Sequence, residues 1–449
     1  MTRISLFSEI PDRQEKEEQI MEYSPLPAHA EQASHSCRFD AGFFGSSTPQ
    51  GLIQRFGSPL YVYHEGTLRR CCREMKTIMD YPKFTANFSI KANSNLTLLK
   101  IVHEEGLLAD AMSPGEIFML EQAGFAPEEI FFVPNNVADS ELAFASARGI
   151  MTSLDSLDQL ERWGQLKPGS RVAIRINPGI GAGHHAKVIT AGKKTKFGIN
   201  SDQLDHAQEI AQHYRLQIVG VNQHIGSLFM EPVPYLRAAR HFLELAARFE
   251  NLEFIDLGGG FGIPYHKFDG EARLDLPVLR DGLTDLVKNF VDSYGRQVTF
   301  KSEPGRYIVA ECCVLLGTVH ALKENDEIEY AGTDLGFNVL ARPILYDSWH
   351  DIMAWREGKP VPTDVLRPVT VVGNICESGD IIARNRPLPP LRHGDILSVH
   401  DAGAYGYAMS SNYNNRLRPA EILIREHGEA VLIRRRETFE DLMACFPTE

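Results

Sequence analysis

From Thr85 onward, short apolar runs alternate with amphipathic stretches, and the alternation repeats with little variation. The runs fall at 85–91, 107–112, 129–134, 150–154, 171–176, 216–224, 253–258 and 298–302, and each reads as a strand. Between them, 115–123, 138–148, 232–249 and 275–293 have the apolar spacing of helices that bury one face. Eight strand-plus-helix units in succession predict an α/β fold, a closed parallel (β/α)8 TIM-type barrel. An open doubly wound sheet is the alternative, because a linear pattern does not show closure.

After about residue 306 the pattern changes to short strands with turn signals, at 307–316, 369–372, 395–400 and 421–424. This predicts a mainly β C-terminal domain, 306–449, with 437–445 as a terminal helix. The barrel domain is expected over 43–305, with 51–63 counted either with it or with the β domain. Residues 1–42 are polar and charge-rich, which predicts a partly disordered extension outside the catalytic core. The 179–197 stretch is long for a barrel loop and is expected to be functional or mobile.

The strand ends concentrate glycine and polar residues. They read Lys91-Ala92-Asn93, Ser113-Pro114-Gly115-Glu116, Asn135-Asn136, Asp155-Ser156, Arg175-Ile176-Asn177-Pro178, His224-Ile225-Gly226-Ser227, Gly258-Gly259-Gly260 and Glu303-Pro304-Gly305-Arg306. Barrel enzymes place their chemistry on that C-terminal face.

Composition narrows the class. Hydrophobic residues make up 43% and charged residues 23%, ordinary for a globular protein, and a net charge of -13 with no basic block argues against nucleic acid or an anionic membrane as partner. No run approaches the ~18 apolar residues a membrane span requires. The 7 cysteines include the adjacent pairs Cys71-Cys72 and Cys312-Cys313 and no CxxC spacing. They suggest a reducing compartment and no structural zinc; with no apolar leader at the N-terminus, the cytoplasm is expected.

Lys91 ends an apolar run, where burial would lower its pKa and free the amine to attack a carbonyl. A lysine snorkelling from a strand end is the plainer account. The run Asp256-Leu257-Gly258-Gly259-Gly260 could let backbone N–H groups approach a phosphate, or could be a tight turn. Glu303 is a candidate partner for a pyridinium nitrogen, against a simple salt bridge to Arg306. His224 could cover a flat cofactor or could be a core histidine. Cys376 sits beside Glu377 and Asp380 in a glycine-bounded loop suited to a reactive thiol, whereas Cys312 and Cys313, in an apolar strand, look inert. Arg342 could clamp a carboxylate.

In their order along the chain, SIKAN, HIGS, DLGGGFGIPY, EPGR, RPxLY, CESGD and DAGAYGYAMSSNYN make this sequence resemble the decarboxylases of the alanine-racemase-like barrel fold that use pyridoxal 5'-phosphate (PLP). Within that family the likeness is greatest to the branch acting on meso-diaminopimelate, and it covers residues from about 52 to 435. The resemblance implies that Lys91 carries PLP, His224 covers the ring, Ser227 and Gly258, Gly259 and Gly260 hold the phosphate, and Glu303 meets the ring nitrogen. Gly305, Arg306 and Tyr405 complete the cofactor contacts. Arg306, Arg342, Tyr346, Glu377 and Tyr405 are the implied substrate residues, and Cys376 the acid that reprotonates Cα. It also implies a homodimer whose cysteine loop enters the partner's site, and a small amino-acid substrate. Decarboxylation of meso-diaminopimelate to L-lysine is therefore expected, with D-ornithine, D-lysine or a carboxy-amine as alternative substrates and a non-catalytic PLP-binding protein as the alternative of another class. Pro114 stands where the family usually has glycine, and Val339 follows Asn338 where an acid is often found.

Overall fold

A computed structural model describes residues 42–179 and 195–447. The expectations for the N-terminal extension and for most of the 179–197 loop lie outside the described residues.

The first strand, β1 (Leu60–His64), does not belong to the barrel. The barrel strands are β2 (Phe84–Ser89), β3 (Leu108–Ala111), β4 (Ile130–Phe132), β5 (Met151–Leu154), β6 (Arg171–Asn177), β8 (Gln217–Asn222), β9 (Phe254–Asp256) and β10 (Thr299–Ser302), with the short β7 (Ile199–Asn200) appended to β6. Every neighbouring pair in this ring is parallel, and β5 pairs with β6 to close it, so the barrel is shut and the open-sheet alternative is excluded. Its lumen is packed by Phe131, Val133, Ala173, Val219 and Phe254.

The helices begin where the sequence caps them. Asn95 accepts from Thr97 N–H to start Leu96–Glu104, and Ser113 accepts from Glu116 N–H to start Pro114–Ala123. Pro114 is the first residue of that helix, a position whose N–H needs no partner, so proline fits where the family usually has glycine.

The second sheet is mainly β. Its strands are β11 (Cys313–Asn325), β12 (Ile328–Thr333), β13 (Ile352–Arg356), β14 (Lys359–Pro360), β15 (Arg367–Val372), β16 (Ile381–Leu388), β17 (Ile396–Val399), β18 (Ala420–Ile424) and β19 (Ala430–Arg434), together with β1. β1 is central, antiparallel to β11 and parallel to β18. Its alternate residues serve two cores: Leu60 and Val62 pack with Val314, Leu316 and Ile422, while Tyr61 and Tyr63 face the larger core that includes the barrel.

Two sequence boundaries are corrected. The 307–316 stretch is not one strand: Arg306–Val309 forms a helical turn buried throughout, and β11 starts only at Cys313. Burial on every side leaves Tyr307, Ile308, Val309 and Ala310 as an unbroken apolar run after Arg306, with no amphipathic period to mark the turn. The terminal helix is shorter than 437–445, spanning Phe439–Met443.

Candidate active site

The Lys91 loop is fastened to the β sheet by buried amides. Asn93 Nδ2 donates to the Tyr63 hydroxyl and to Gly403 O, both at 2.9 Å, and Asn95 Nδ2 donates to Glu421 Oε2 at 2.9 Å. Glu421 also accepts from Tyr63 at 2.7 Å and pairs with Arg434. Tyr405, at a positive φ of 59°, donates its backbone N–H to Ala92 O at 2.9 Å, which sets its ring beside the lysine turn. Lys91 itself lies in the 3-10 turn Ile90–Ala92, just past the end of β2.

Its surroundings correct the expected ionisation. Burial depresses the Lys91 ammonium, but Asp110, Tyr405 and Glu303 together outweigh that effect and its pKa is raised. Asp110, on β3, accepts from the Ser89 hydroxyl at 2.6 Å, and its other oxygen is buried with no hydrogen-bond partner. Sequence reasoning passed over this residue; a carboxylate inside the apolar run Leu108-Ala109-Asp110-Ala111 was the available signal.

Glu303 is 3% exposed and its Oε1 has no hydrogen-bond partner. Burial, then Asp256 and Asp110, push its pKa well up. It makes no salt bridge to Arg306; His224 lies beside it, with Nδ1 3.8 Å from Glu303 Oε2. Burial, with Lys91 and Arg175 nearby, presses the His224 pKa well down, and its Nδ1 accepts the Gly259 N–H at 3.3 Å. The imidazole is neutral.

The glycine tract is required by the chain itself. A Cβ at Gly258 would lie 2.2 Å from Gln223 O, and one at Gly259 1.9 Å from Glu303 O, so adjacent strand ends pack where side chains would stand. Gly258 N–H donates to Asp256 Oδ1 at 2.9 Å and Gly259 N–H to His224, which leaves neither donor free.

Arg306 and Arg342 converge on Tyr265. Arg306 donates to the Tyr265 hydroxyl at 2.9 Å and to Ser227 Oγ at 3.0 Å, with its guanidinium 5.0 Å from the Tyr405 ring centre. The absence of a side chain at Gly305 lets this segment pack on the Lys91 turn, since a Cβ there would lie 3.0 Å from Ser89 Cβ and 3.3 Å from Ala92 Cβ. Arg342 lies over the Tyr265 ring at 4.6 Å and donates to His350 Nε2 at 2.7 Å, while His350 Nδ1 donates to His400 O. Burial first, with Arg306 contributing, brings the Arg342 pKa down to about 10. Neither arginine pairs with a carboxylate among the described residues. Tyr346 is close enough to Arg306 to favour its charge. Tyr265 closes the motif DLGGGFGIPY but was given no role in the sequence reading, and His350 was absent from it, since nothing in one dimension links either to two distant arginines.

Cys376 and Glu377 lie apart from this cluster. Both are exposed; Cys376 accepts from Asn414 Nδ2 at 3.1 Å and donates its backbone N–H to Asn414 Oδ1, and Glu377 accepts from the Tyr413 hydroxyl at 2.7 Å. Cys312 and Cys313 are buried, and burial drives both thiols to high pKa, so they are inert as expected.

A closed barrel with a half-buried lysine past its first strand, a buried carboxyl past its last and a β sheet across its mouth defines a barrel-type PLP enzyme. The residues fit that cofactor: the Glu303 carboxyl is buried with one oxygen that has no hydrogen-bond partner, and a neutral imidazole lies beside it. A family model for the pyridoxal-dependent decarboxylase, pyridoxal binding domain, matches residues 65–310. Diaminopimelate decarboxylase of Methanothermobacter thermautotrophicus is 40% identical over 408 residues, 89% of this chain and 94% of that protein, and the Escherichia coli K12 enzyme is 35% identical over 410 residues, 88% and 94%. A crystal structure of a diaminopimelate decarboxylase superposes with a TM-score of 0.83 at 33% identity, covering 90% of this chain and 98% of that one. The Helicobacter pylori diaminopimelate decarboxylase complexed with L-lysine gives 0.79 at 30% identity, covering 88% and 98%. The chain belongs to the diaminopimelate decarboxylase family; it is a PLP-dependent carboxy-lyase. Among the described residues no helix is long and apolar enough to cross a membrane.

Proposed function

We propose that this protein removes the carboxylate from the D-configured centre of meso-diaminopimelate, giving carbon dioxide and L-lysine in lysine biosynthesis. The observation that carries the reading is the pair Arg306 and Arg342, two buried guanidiniums on one tyrosine with no carboxylate partner among the described residues. Two unpaired buried cations are costly, and a substrate with a second carboxylate removes that cost.

The electron sink for the pair left behind by carbon dioxide is what bound PLP supplies. Lys91 provides the amine that holds it, with Asp110 as the strongest favourable influence on that ammonium. His224 would cover the ring face, Glu303 would meet the ring nitrogen, and Ser227, Gly260, Arg306 and Tyr405 would hold the phosphate end. Gly258 and Gly259 contribute by shaping the turn. Arg306, Arg342 and Tyr346 hold the distal carboxylate, with Glu377 receiving the distal ammonium. The Cys376 thiol gives its proton to Cα after carbon dioxide leaves. Exposure of Cys376 and Glu377 in one chain supports a homodimer in which Cys376 of the partner subunit completes each site. We place the enzyme in the cytoplasm.

The test is carbon dioxide release by PLP-loaded protein from meso-diaminopimelate, with D-ornithine, D-lysine and L-ornithine in parallel. A clear preference for meso-diaminopimelate is expected; equal or faster turnover of a diamine acid without the distal carboxylate would overturn the substrate assignment.

A further inference from the structure

Below Glu303 the barrel lumen holds two charged side chains that the chemistry above does not use, Asp256 and Lys301. β9 and β10 run parallel with Asp256 opposite Lys301, and Glu303 follows Lys301 by two residues, so the three side chains point the same way. Asp256 Oδ1 is held by Gly258 N–H, but Asp256 Oδ2 is buried with no hydrogen-bond partner, as is Glu303 Oε1. The two carboxyl groups are within hydrogen-bonding reach of each other. Bare carboxylate oxygens do not face one another in a buried space without a proton between them. Lys301 closes the lumen from beneath, with its ammonium 4.7 Å from the Phe254 ring centre and 5.2 Å from that of Phe131.

We propose that Asp256 and Glu303 hold a single proton between them above Lys301, and that this pair, singly ionised, fixes and charges the Glu303 oxygen that faces the cofactor's ring nitrogen. Asp256 and Lys301 are then positioning residues. The inference rests on the reading of Glu303 as the ring-nitrogen partner.

The electrostatics agree. Burial first, opposed by Gly258 and Lys301, pushes the Asp256 carboxyl up to about 7, and Glu303 is raised by burial and then by Asp256 itself. Burial lowers Lys301, with Asp256 and then Glu303 supporting its charge. The other groups facing the pair are Asp110 from β3, which opposes ionisation, Lys91 past β2 and Arg175 from β6, which favour it, and the neutral His224 past β8. The Tyr235 phenol is also near and donates to Leu257 O and Gly258 O. In the shared arrangement the proton resides on Asp256 when the ring nitrogen brings its own, and no further reactant is needed.

The test is infrared difference spectroscopy of the cofactor-free protein between pH 6 and 9, wild type against D256N, E303Q and K301M. D256N keeps the acceptor for Gly258 N–H, and E303Q is a second variant of the same size. One protonated-carboxyl band is expected in wild type that is lost in both D256N and E303Q, because each removes half of the pair. In K301M that band should persist to a pH at least one unit higher. A band that survives in D256N would show a proton belonging to Glu303 alone and overturn the sharing; an unmoved midpoint in K301M would remove Lys301 from the arrangement. The ring contact is read separately: if PLP-loaded E303Q has the wild-type cofactor absorbance, the Glu303 assignment fails while the carboxyl pair stands or falls on its own spectrum.

Discussion

At the barrel mouth, Asp110, Arg175, Asp256 and Glu303 are each at most 5% exposed, and their charges are balanced against one another and against Lys91. On the loop that carries Cys376 and Glu377 both reactive groups are exposed, each held by one neighbour from the 413–414 turn. The mouth is preorganised within one chain: on the proposed reading, its dipoles and charges stand where the reaction needs them before substrate arrives. The loop presents a thiol and a carboxylate to whatever surface covers them. One half of the proposed site is finished by folding; on the proposed dimer, the other is finished by association.

The largest break in that comparison comes from the loop. C376A should lower kcat by about 10²–10⁴, the usual contribution of a positioned acid, while leaving the absorbance of bound PLP unchanged. A changed absorbance would show the cysteine shaping the cofactor's surroundings rather than serving only as a proton donor. At the buried end, R342M should cost roughly 10–100-fold in kcat/KM, mostly through KM, because it removes one of two cations awaiting a carboxylate. An unchanged KM would remove Arg342 from substrate binding.

A smaller effect concerns pH, to which the buried half should respond more than the loop. Burial, then Lys267, presses His400 down to about 3, and His350 is likewise driven well below its ordinary value, chiefly by burial and Arg342. The unfolded chain binds protons that these folded-state imidazoles refuse. Their contribution is therefore complete above the unfolded value near ~6.5 and is lost as pH falls toward the folded values. In H400Q the decline in unfolding free energy between pH 6.5 and 5 should be shallower by up to about 1.4 kcal/mol per pH unit. Denaturant titrations with superimposable slopes would contradict this.

The barrel was readable because each of its strands is an apolar run ending in polar residues, from Lys91 to Glu303, and those ends lie on one face. The β sheet was less so, because its pairings are non-local: β1 lies between strands more than 200 residues away, β11 and β18. The buried turn Arg306–Val309 looked like strand because Tyr307, Ile308 and Val309 follow Arg306 without an intervening charged residue. Within the candidate site, sequence indicated which residue types stand at strand ends but not which groups they face. Lys91 was expected to be depressed by burial, and the carboxylates that reverse this, Asp110 and Glu303, come from other strands. Tyr265 ends the motif DLGGGFGIPY and His350 lies in none, and neither position reveals the arginine it supports.

The most direct test of a site finished by association is complementation. K91A and C376A are each expected to be nearly inactive in releasing carbon dioxide from meso-diaminopimelate. Mixed in equal amounts and allowed to exchange subunits, they should recover about a quarter of wild-type activity, since half the dimers would be mixed and each would hold one intact site. Recovery to that level would establish that Lys91 and Cys376 act from different chains, and no recovery despite demonstrated subunit exchange would contradict it.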